Sequence, residues 1–160
     1  MLNVTLLCVG RCKEDYWNRA CAEYQKRLGG FCSFHLIEVE ECRCPDRPSP
    51  KEIQQVIGKE GERLLGRIPE GSAVVAMCIE GKTMSSEHLA DYLQSLPVNG
   101  VSKVTFVIGG SFGLSDAVKT RADVRLSVSP MTFPHQLFRV MLMEQIYRGF
   151  QIAAGGKYHK

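Results

Sequence analysis

Short runs of β-branched and apolar residues alternate with longer amphipathic runs along almost the whole sequence. This alternation predicts a parallel sheet, because consecutive parallel strands need a crossover long enough to hold a helix. We expect strands over Leu2–Val9, Phe34–Val39, Ser72–Ile79, Lys103–Ile108 and Val124–Val128. The third run is apolar at nearly every position, as is typical of a strand buried on both faces. The sequence therefore predicts an α/β fold, with a parallel-rich sheet and helices on both of its faces.

The amphipathic runs predict five helices. The start of the second helix is marked by Ser49, Pro50 and Glu52, which form a capping box with proline in the first helical position. In chain order, the helices are expected over Glu14–Leu28, over Pro50–Leu65, from about Ser85 to just before Pro97, in a short segment capped by Ser115 with Asp116, and from Pro134 onward. The last helix is long, and its buried side is expected to carry Leu137, Val140, Met141 and Ile146.

Length and composition predict a single compact domain over residues 1–160. The chain has 160 residues, of which 44% are hydrophobic and 23% charged, so it can bury a proper core. The sequence shows neither a signal-peptide pattern nor an apolar stretch of about 18 residues. We therefore expect a cytoplasmic protein with no membrane partner.

The charge balance excludes a protein that holds nucleic acid by charge alone, because the formal net charge is only +3. An RNA partner would then be recognised by its shape or by a local patch of basic residues. The amino-terminal half offers such a patch in Lys13, Arg19, Lys26, Arg27 and Arg43. The same residues are also compatible with an ordinary solvated surface.

The spacing of the seven cysteines argues against a structural metal site. Cys42 and Cys44 are separated by one residue and Cys8 and Cys12 by three, whereas structural zinc ligands come in CxxC pairs or with paired histidines. A thiol in a strand such as that of Cys8 acts as a small hydrophobic side chain. We expect no metal.

The segment VIGGSFGLSDAV, residues 107–118, places three glycines at the end of a predicted strand. Glycine permits backbone angles and close approaches that a Cβ forbids. The strand end is therefore expected to bend sharply beside another chain segment or a ligand. A plain tight turn at Gly109, Gly110 and Gly113 remains an alternative.

Two common nucleotide-binding motifs are disfavoured by their spacing. A dinucleotide fingerprint requires a glycine where Ser111 stands, and no acidic residue follows about 20 positions further on. The EGKTMSS segment resembles the end of a phosphate-binding loop, but Ala76 stands where the first glycine of that loop is required.

Several longer strings resemble one family over essentially the whole chain. They are LLCVGRCKEDYW, EYQKRLG, VIGGSFGLS, SVSPMTFPHQLFRVMLMEQIYRGF and the terminal KYHK. In this order they are similar to the RlmH family, bacterial large-subunit rRNA methyltransferases of the SPOUT superfamily. The resemblance implies a C-terminal trefoil knot, a homodimer and S-adenosylmethionine as cofactor. It also implies methylation of N3 of a pseudouridine in 23S rRNA within the assembled ribosome.

The resemblance assigns a cofactor site to the end of the third strand, the glycine turn and the loop before the last helix. The residues implied are Met77, Gly109, Val128, Ser129, Pro130, Met131, Thr132 and Phe133. Main-chain amides and carbonyls in such a loop can read the edge of adenine. The chain departs from the family pattern twice: Pro130 removes one amide donor, and Phe112 stands where the family carries a polar residue.

The same resemblance implies catalytic roles for Arg148, Tyr158 and His159, with the tail contributed by the partner subunit. A guanidinium stays protonated, so Arg148 can stabilise an imide anion or bind a phosphate but cannot act as a base. Histidine exchanges protons near neutral pH, so His159 can accept a proton or orient the base, and Tyr158 can stack on it. From residue type alone, a solvated arginine and a frayed tail remain alternatives.

Other roles stay open at this point. His135, at the head of the last helix, is expected to pack locally or to contact the partner subunit, and contact with the substrate is the alternative. A SPOUT methyltransferase acting on another RNA, such as tRNA, would share every cofactor residue. A non-catalytic ribosome-associated binding protein that has kept the fold is the third possibility.

Overall fold

The computed structural model describes residues 1–159. Their elements, in chain order, are β1 (Asn3–Val9), α1 (Asp15–Leu28), β2 (Ser33–Val39), α2 (Pro50–Leu65), β3 (Ala73–Thr83), α3 (Ser86–Val98), β4 (Lys103–Ile108), α4 (Asp116–Arg121), β5 (Val124–Ser127) and α5 (His135–Ala153). None of the helices within this range is long and apolar enough to cross a membrane.

The five strands form one sheet in the order β2-β1-β4-β3-β5, and every neighbouring pair is parallel. Helices cover both faces of the sheet. Successive residues of a strand point to opposite faces, so neighbouring strand residues pack in different cores. Leu6 packs with α1, α3 and α5 in one core, whereas Leu7 packs with α2 and α4 in the other. The predicted α/β class, with a parallel sheet and helices on both faces, is confirmed.

Parallel pairing brings the carboxyl ends of the strands to one edge of the sheet. Because β4 lies beside β3 and β3 beside β5, the segments that follow these three strands are neighbours at that edge. These segments are the extension of β3, the glycine turn after Ile108 and the loop after Ser127. Ligands of open α/β folds bind at this edge.

Two predicted boundaries are wrong. β3 continues past Ile79 to Thr83, and its pairing with β5 shifts between Met77 and Lys82. α3 runs through Pro97 to Val98, because the proline lies in the last turn, where its missing amide removes a single intrahelical hydrogen bond.

The predicted buried side of α5 is confirmed for Ile146, which is fully buried, and for Val140, which is half-buried and packs against the core. Leu137 and Met141 are half-buried and belong to neither core. Arg139 lies on the buried side instead, with 4% of its surface exposed. Its Nη1 donates to Oε2 of Glu38 at 2.6 Å, and its Nη2 donates to the Gly10 carbonyl at 3.2 Å. A charge with such partners can be buried, and assigning only apolar residues to the core does not detect it.

Arg139→Met should lower the free energy of unfolding by about 3 kcal/mol, because it leaves Glu38 unpaired with only 31% of that side chain exposed. Urea denaturation followed by circular dichroism measures the change. The control is Arg19→Met, which removes the exposed Arg19–Asp15 pair and should cost less than about 1 kcal/mol. Equal effects of the two substitutions would contradict a structural role for the Arg139 pair.

Candidate active site

The carboxyl ends of β3, β4 and β5 open onto a cavity of about 390 Å³. Its walls are the end of β3 from Met77 to Glu80, the glycine turn from Gly109 to Gly113, and the loop from Ser127 to Phe133. Side chains from α4 and from the start of α5 complete the lining, namely Lys119, His135 and Phe138. The cavity therefore lies where the parallel sheet predicts a ligand site.

The glycine turn is held by contacts between main chains. The Gly113 amide donates to the Gly110 carbonyl at 3.0 Å. A Cβ on Gly109 would stand 2.7 Å from the carbonyl carbon of Gly113, a distance that real Cβ atoms do not show. Gly113 has a φ of +88°, in the left-handed region where side chains are strained. The turn itself therefore requires glycine at 109 and 113.

Two serines organise the loop between β5 and α5. The Ser127 hydroxyl donates to the Ser129 carbonyl at 3.1 Å, and the Ser129 hydroxyl accepts from the Met131 amide at 3.0 Å. Large apolar side chains stay exposed around the cavity mouth; they are Ile79, Phe112, Val128 and Met131. An apolar rim of this kind is typical of a surface that a ligand or a second chain covers.

Seven of the eight residues predicted for a cofactor site lie together in the cavity lining: Met77, Gly109, Val128, Ser129, Met131, Thr132 and Phe133. Pro130 is exposed and does not contribute to the lining. His135, expected to pack locally or contact a partner, lines the cavity as well. Lys119 and Phe138 also line the cavity, although no sequence motif assigned them to a site; the fold alone brings them there.

The acidic and basic side chains that line the cavity pair with each other. Lys119 bonds to the carboxylate of Glu80, and this hydrogen bond holds the pKa of Glu80 below its usual range. The pair contributes no net charge. The cavity thus presents apolar and main-chain surface with little formal charge.

The three residues predicted as catalytic lie together near the end of α5. Arg148 donates to both carboxylate oxygens of Glu144, at 3.2 and 3.3 Å, and its guanidinium lies 4.6 Å from the centre of the Tyr158 ring. Nη1 of Arg148 is 3.3 Å from Nδ1 of His159, whose Nε2 is 2.6 Å from Oε1 of Glu87. We call these five residues the tail cluster.

The tail cluster is organised around the Glu144 carboxylate. The Tyr158 hydroxyl donates to it, and this hydrogen bond raises the pKa of Tyr158 to about 12. The phenol is therefore protonated at neutral pH. None of the tail cluster lines the cavity, so within one chain the two sets of predicted site residues are separate.

Comparison with known proteins identifies the family. The family model described as predicted SPOUT methyltransferase matches residues 2–159. The chain belongs to the SPOUT methyltransferase family. Two relatives named Ribosomal RNA large subunit methyltransferase H, from Clostridium acetobutylicum and Ligilactobacillus salivarius, are each 49% identical over 159 residues, which is 99% of this chain and 100% of each relative. Within the SPOUT family, the chain is therefore a member of the RlmH family.

A solved structure supports the fold assignment. The probable methylase family protein from Haemophilus influenzae Rd KW20 matches with a TM-score of 0.54 and 13% identity. The match covers 99% of this chain and 70% of that chain. At such low identity the likeness concerns the fold alone.

The cysteines of this SPOUT protein form no metal site within residues 1–159. All seven are free thiols, and no group of three or more His, Cys, Asp or Glu side chains in this range converges to hold an ion. Burial raises the pKa of Cys8 to about 12, so its thiol stays protonated. Cys8 packs in the core with the neighbouring apolar side chains.

Sequence reasoning missed a buried carboxyl beneath the glycine turn. Glu60 on α2 is 2% exposed, and its Oε2 accepts from the Cys42 amide at 3.0 Å, whereas its Oε1 has no partner among the described residues. Burial raises the pKa of Glu60. A Cβ on Gly110 would stand 2.6 Å from that Oε1. The spacing of Val56, Glu60 and Leu64 was the available signal, because it places the carboxyl on the buried face of α2.

Gly110→Ala should lower the free energy of unfolding by about 1–3 kcal/mol, because the added methyl overlaps a carboxyl that the Cys42 amide holds in place. In a Glu60→Ala background the same substitution should cost close to nothing, which corresponds to a coupling energy of about 1 kcal/mol or more. Urea denaturation of the wild type and the three variants measures this cycle.

The control is Gly58→Ala, at a position of α2 where a Cβ meets no atom within 4 Å. It should stabilise the protein by up to about 1 kcal/mol, because alanine favours the helix over glycine. An equal cost of Gly110→Ala with and without the Glu60 side chain would show that the methyl meets something else.

Proposed function

We propose that this protein uses S-adenosylmethionine to methylate N3 of a pseudouridine in large-subunit rRNA, acting on the assembled ribosome as a cytoplasmic homodimer. The observation that carries the proposal is the cavity at the ends of β3, β4 and β5, walled by glycine main chain and by the loop from Ser127 to Phe133. Relatives that match the full chain length support it through their name, Ribosomal RNA large subunit methyltransferase H. The choice of pseudouridine and of the ribosome rests on the resemblance of the sequence motifs.

The cavity lining suits S-adenosylmethionine. The volume of the cavity, about 390 Å³, is in the range of small-molecule sites, and most of the side chains that line it are apolar. Met77 and Leu126 would pack on the adenine ring, and main-chain groups of the loop from Ser127 to Phe133 would bind its polar edge. The cofactor supplies an electrophilic methyl group on a sulfonium.

Methylation of an imide nitrogen requires removal of a weakly acidic proton. In this proposal His159 accepts the N3 proton or orients the base, and the Arg148 guanidinium stabilises the anion that remains. A general base adds about 10²–10⁴ in rate. Tyr158 stacks on the base, since its one hydroxyl proton is already donated to Glu144. Glu144 holds Arg148 and Tyr158 in place through its two oxygens.

The proposal requires a second copy of the chain. Because the tail cluster does not line the cavity of its own chain, it has to reach the cavity of the partner subunit. Half-buried Leu137 and Met141 on α5, together with exposed Val128 and Met131 at the cavity rim, offer apolar surface for such an interface. A homodimer with two composite sites follows.

We propose in addition that the carboxy-terminal part is threaded as a trefoil knot. Support comes from a close approach of main chain between β3 and β5, where a Cβ on Gly81 would stand 2.7 Å from Leu126. Threading a chain under a loop needs unhindered approaches of this kind.

The direct test incubates the purified protein and tritiated S-adenosylmethionine with assembled ribosomes, free large-subunit rRNA or bulk tRNA. We expect label in ribosomes, recovered as 3-methylpseudouridine by mass spectrometry of the nucleosides. Label in tRNA would instead favour another RNA substrate. Absence of label, together with absence of heat on titration with the cofactor, would favour a non-catalytic binding protein.

Arg148→Ala should abolish turnover and leave cofactor affinity near that of the wild type, since Arg148 does not line the cavity. Gly109→Ala should abolish cofactor binding, because its Cβ overlaps the main chain of Gly113.

Heterodimers purified through two tags, with Arg148→Ala in one chain and Gly109→Ala in the other, should recover about half of the wild-type rate because one composite site is intact. Calorimetry and the tritium assay make these measurements. Inactive heterodimers that still bind the cofactor would contradict a tail contributed by the partner.

A further inference from the structure

A second cavity of about 400 Å³ lies behind the glycine turn. Ser111 and Phe112 form the partition, because both residues line this cavity and the candidate active site. The opposite wall is the segment from Glu41 to Cys44, and α2 closes the floor with Val56 and Glu60. We call this space the rear cavity. The reaction described above uses none of it.

The walls of the rear cavity are fixed before any ligand arrives. The Cys42 amide donates to buried Glu60 at 3.0 Å, and Nη1 of Arg63 donates to the Glu40 carbonyl at 2.8 Å. The far end of the same segment is fixed by the capping box of Ser49 at the start of α2. A wall that is anchored in this way loses little conformational entropy on binding.

The chemistry of the lining favours a nucleotide. Phe112 leaves 39% of its surface exposed, so an aromatic ring is available for stacking. Arg43 is exposed and lines the cavity, where it can pair with a phosphate. Glu41 and Glu60 disfavour an anion deep inside, whereas the N–H groups of a base are compatible with carboxylates. The base therefore enters the cavity and its phosphate stays at the rim with Arg43.

We propose that the rear cavity binds one unpaired nucleotide of the RNA substrate, adjacent to the target, with its base stacked on Phe112 and its phosphate paired with Arg43. The inference rests on the proposed function, since it assumes an RNA whose target base enters the neighbouring site. It adds a specificity element that the cofactor residues do not supply. RNA recognition by unstacked bases on aromatic side chains is the physical basis.

Substitutions at Phe112 test the stacking. Phe112→Leu should weaken affinity for the RNA substrate by about 5- to 100-fold, the range expected for loss of one base–aromatic contact, whereas Phe112→Tyr should stay within about twofold of the wild type. Affinity is measured by filter binding of ribosomes. Because Phe112 also borders the first cavity, cofactor affinity is measured separately by calorimetry.

A matched pair of arginines tests the phosphate contact. Arg43→Ala and Arg47→Ala remove the same charge from the same exposed segment, but only Arg43 lines the rear cavity. Arg43→Ala should weaken RNA binding more and should lower the slope of log affinity against log salt by about one. If Phe112→Leu also weakens cofactor binding, the comparison of the two arginine variants decides whether the rear cavity binds a nucleotide. Equal losses of RNA affinity in Arg43→Ala and Arg47→Ala would overturn the proposal.

Ultraviolet crosslinking of the wild-type protein to ribosomes locates the contact without any assay of turnover. After digestion, mass spectrometry should find a nucleotide attached to the peptides that contain Cys42, Cys44 or Phe112. Crosslinks confined to other surfaces overturn the rear-cavity site even when rRNA is methylated. Conversely, crosslinks here without methylation of any RNA would overturn the proposed function and leave the nucleotide site standing.

Discussion

The close approach of the Gly109 and Gly113 main chains is the constraint on which the site depends. Because Gly109 has no side chain, the end of β4 can fold back against its own continuation, in a space that a Cβ would occupy. That fold-back forms the wall between the cavity at the strand ends and the rear cavity. Buried Glu60 packs against the same turn at Gly110. A shift of this wall would change both cavities together.

Charged groups, in addition to apolar cores, connect elements that are far apart in the sequence. Arg139 joins α5 to β2 through Glu38, 101 positions away, and to the turn after β1 through Gly10. Glu60 joins α2 to the segment after β2 through the Cys42 amide. Removing one partner leaves a buried charge or donor unsatisfied, which is the reason why such contacts restrict geometry more strongly than an apolar contact of similar area.

Elements defined by apolar periodicity could be predicted from the sequence, and so could most of the cavity lining. The strands alternate with amphipathic runs, and Ser49 marks the start of α2 by a side-chain rule that operates locally. Arg139 and Glu60 were missed because a rule that assigns only apolar residues to the core places charged residues at the surface, even where the spacing, as for Glu60 between Val56 and Leu64, points inward. The predicted end of α3 was wrong for a different reason. A proline disrupts the interior of a helix, but Pro97 lies in the last turn, where the helix tolerates it.

The separation of the candidate site residues within one chain is the reason why the proposed reaction is assigned to two chains. Among the described residues, Glu80 and Lys119 are the acidic and basic side chains of the cavity lining apart from His135, and they pair with each other. Arg148 carries a permanent positive charge but lies outside that cavity, bonded to Glu144. Glu144 offsets the charge of Arg148 yet orients it together with Tyr158, so the cluster arrives as a preorganised unit. Under the proposed function, a chain in which the cavity and this cationic group lie apart would gain a complete site when a second copy supplies the missing half.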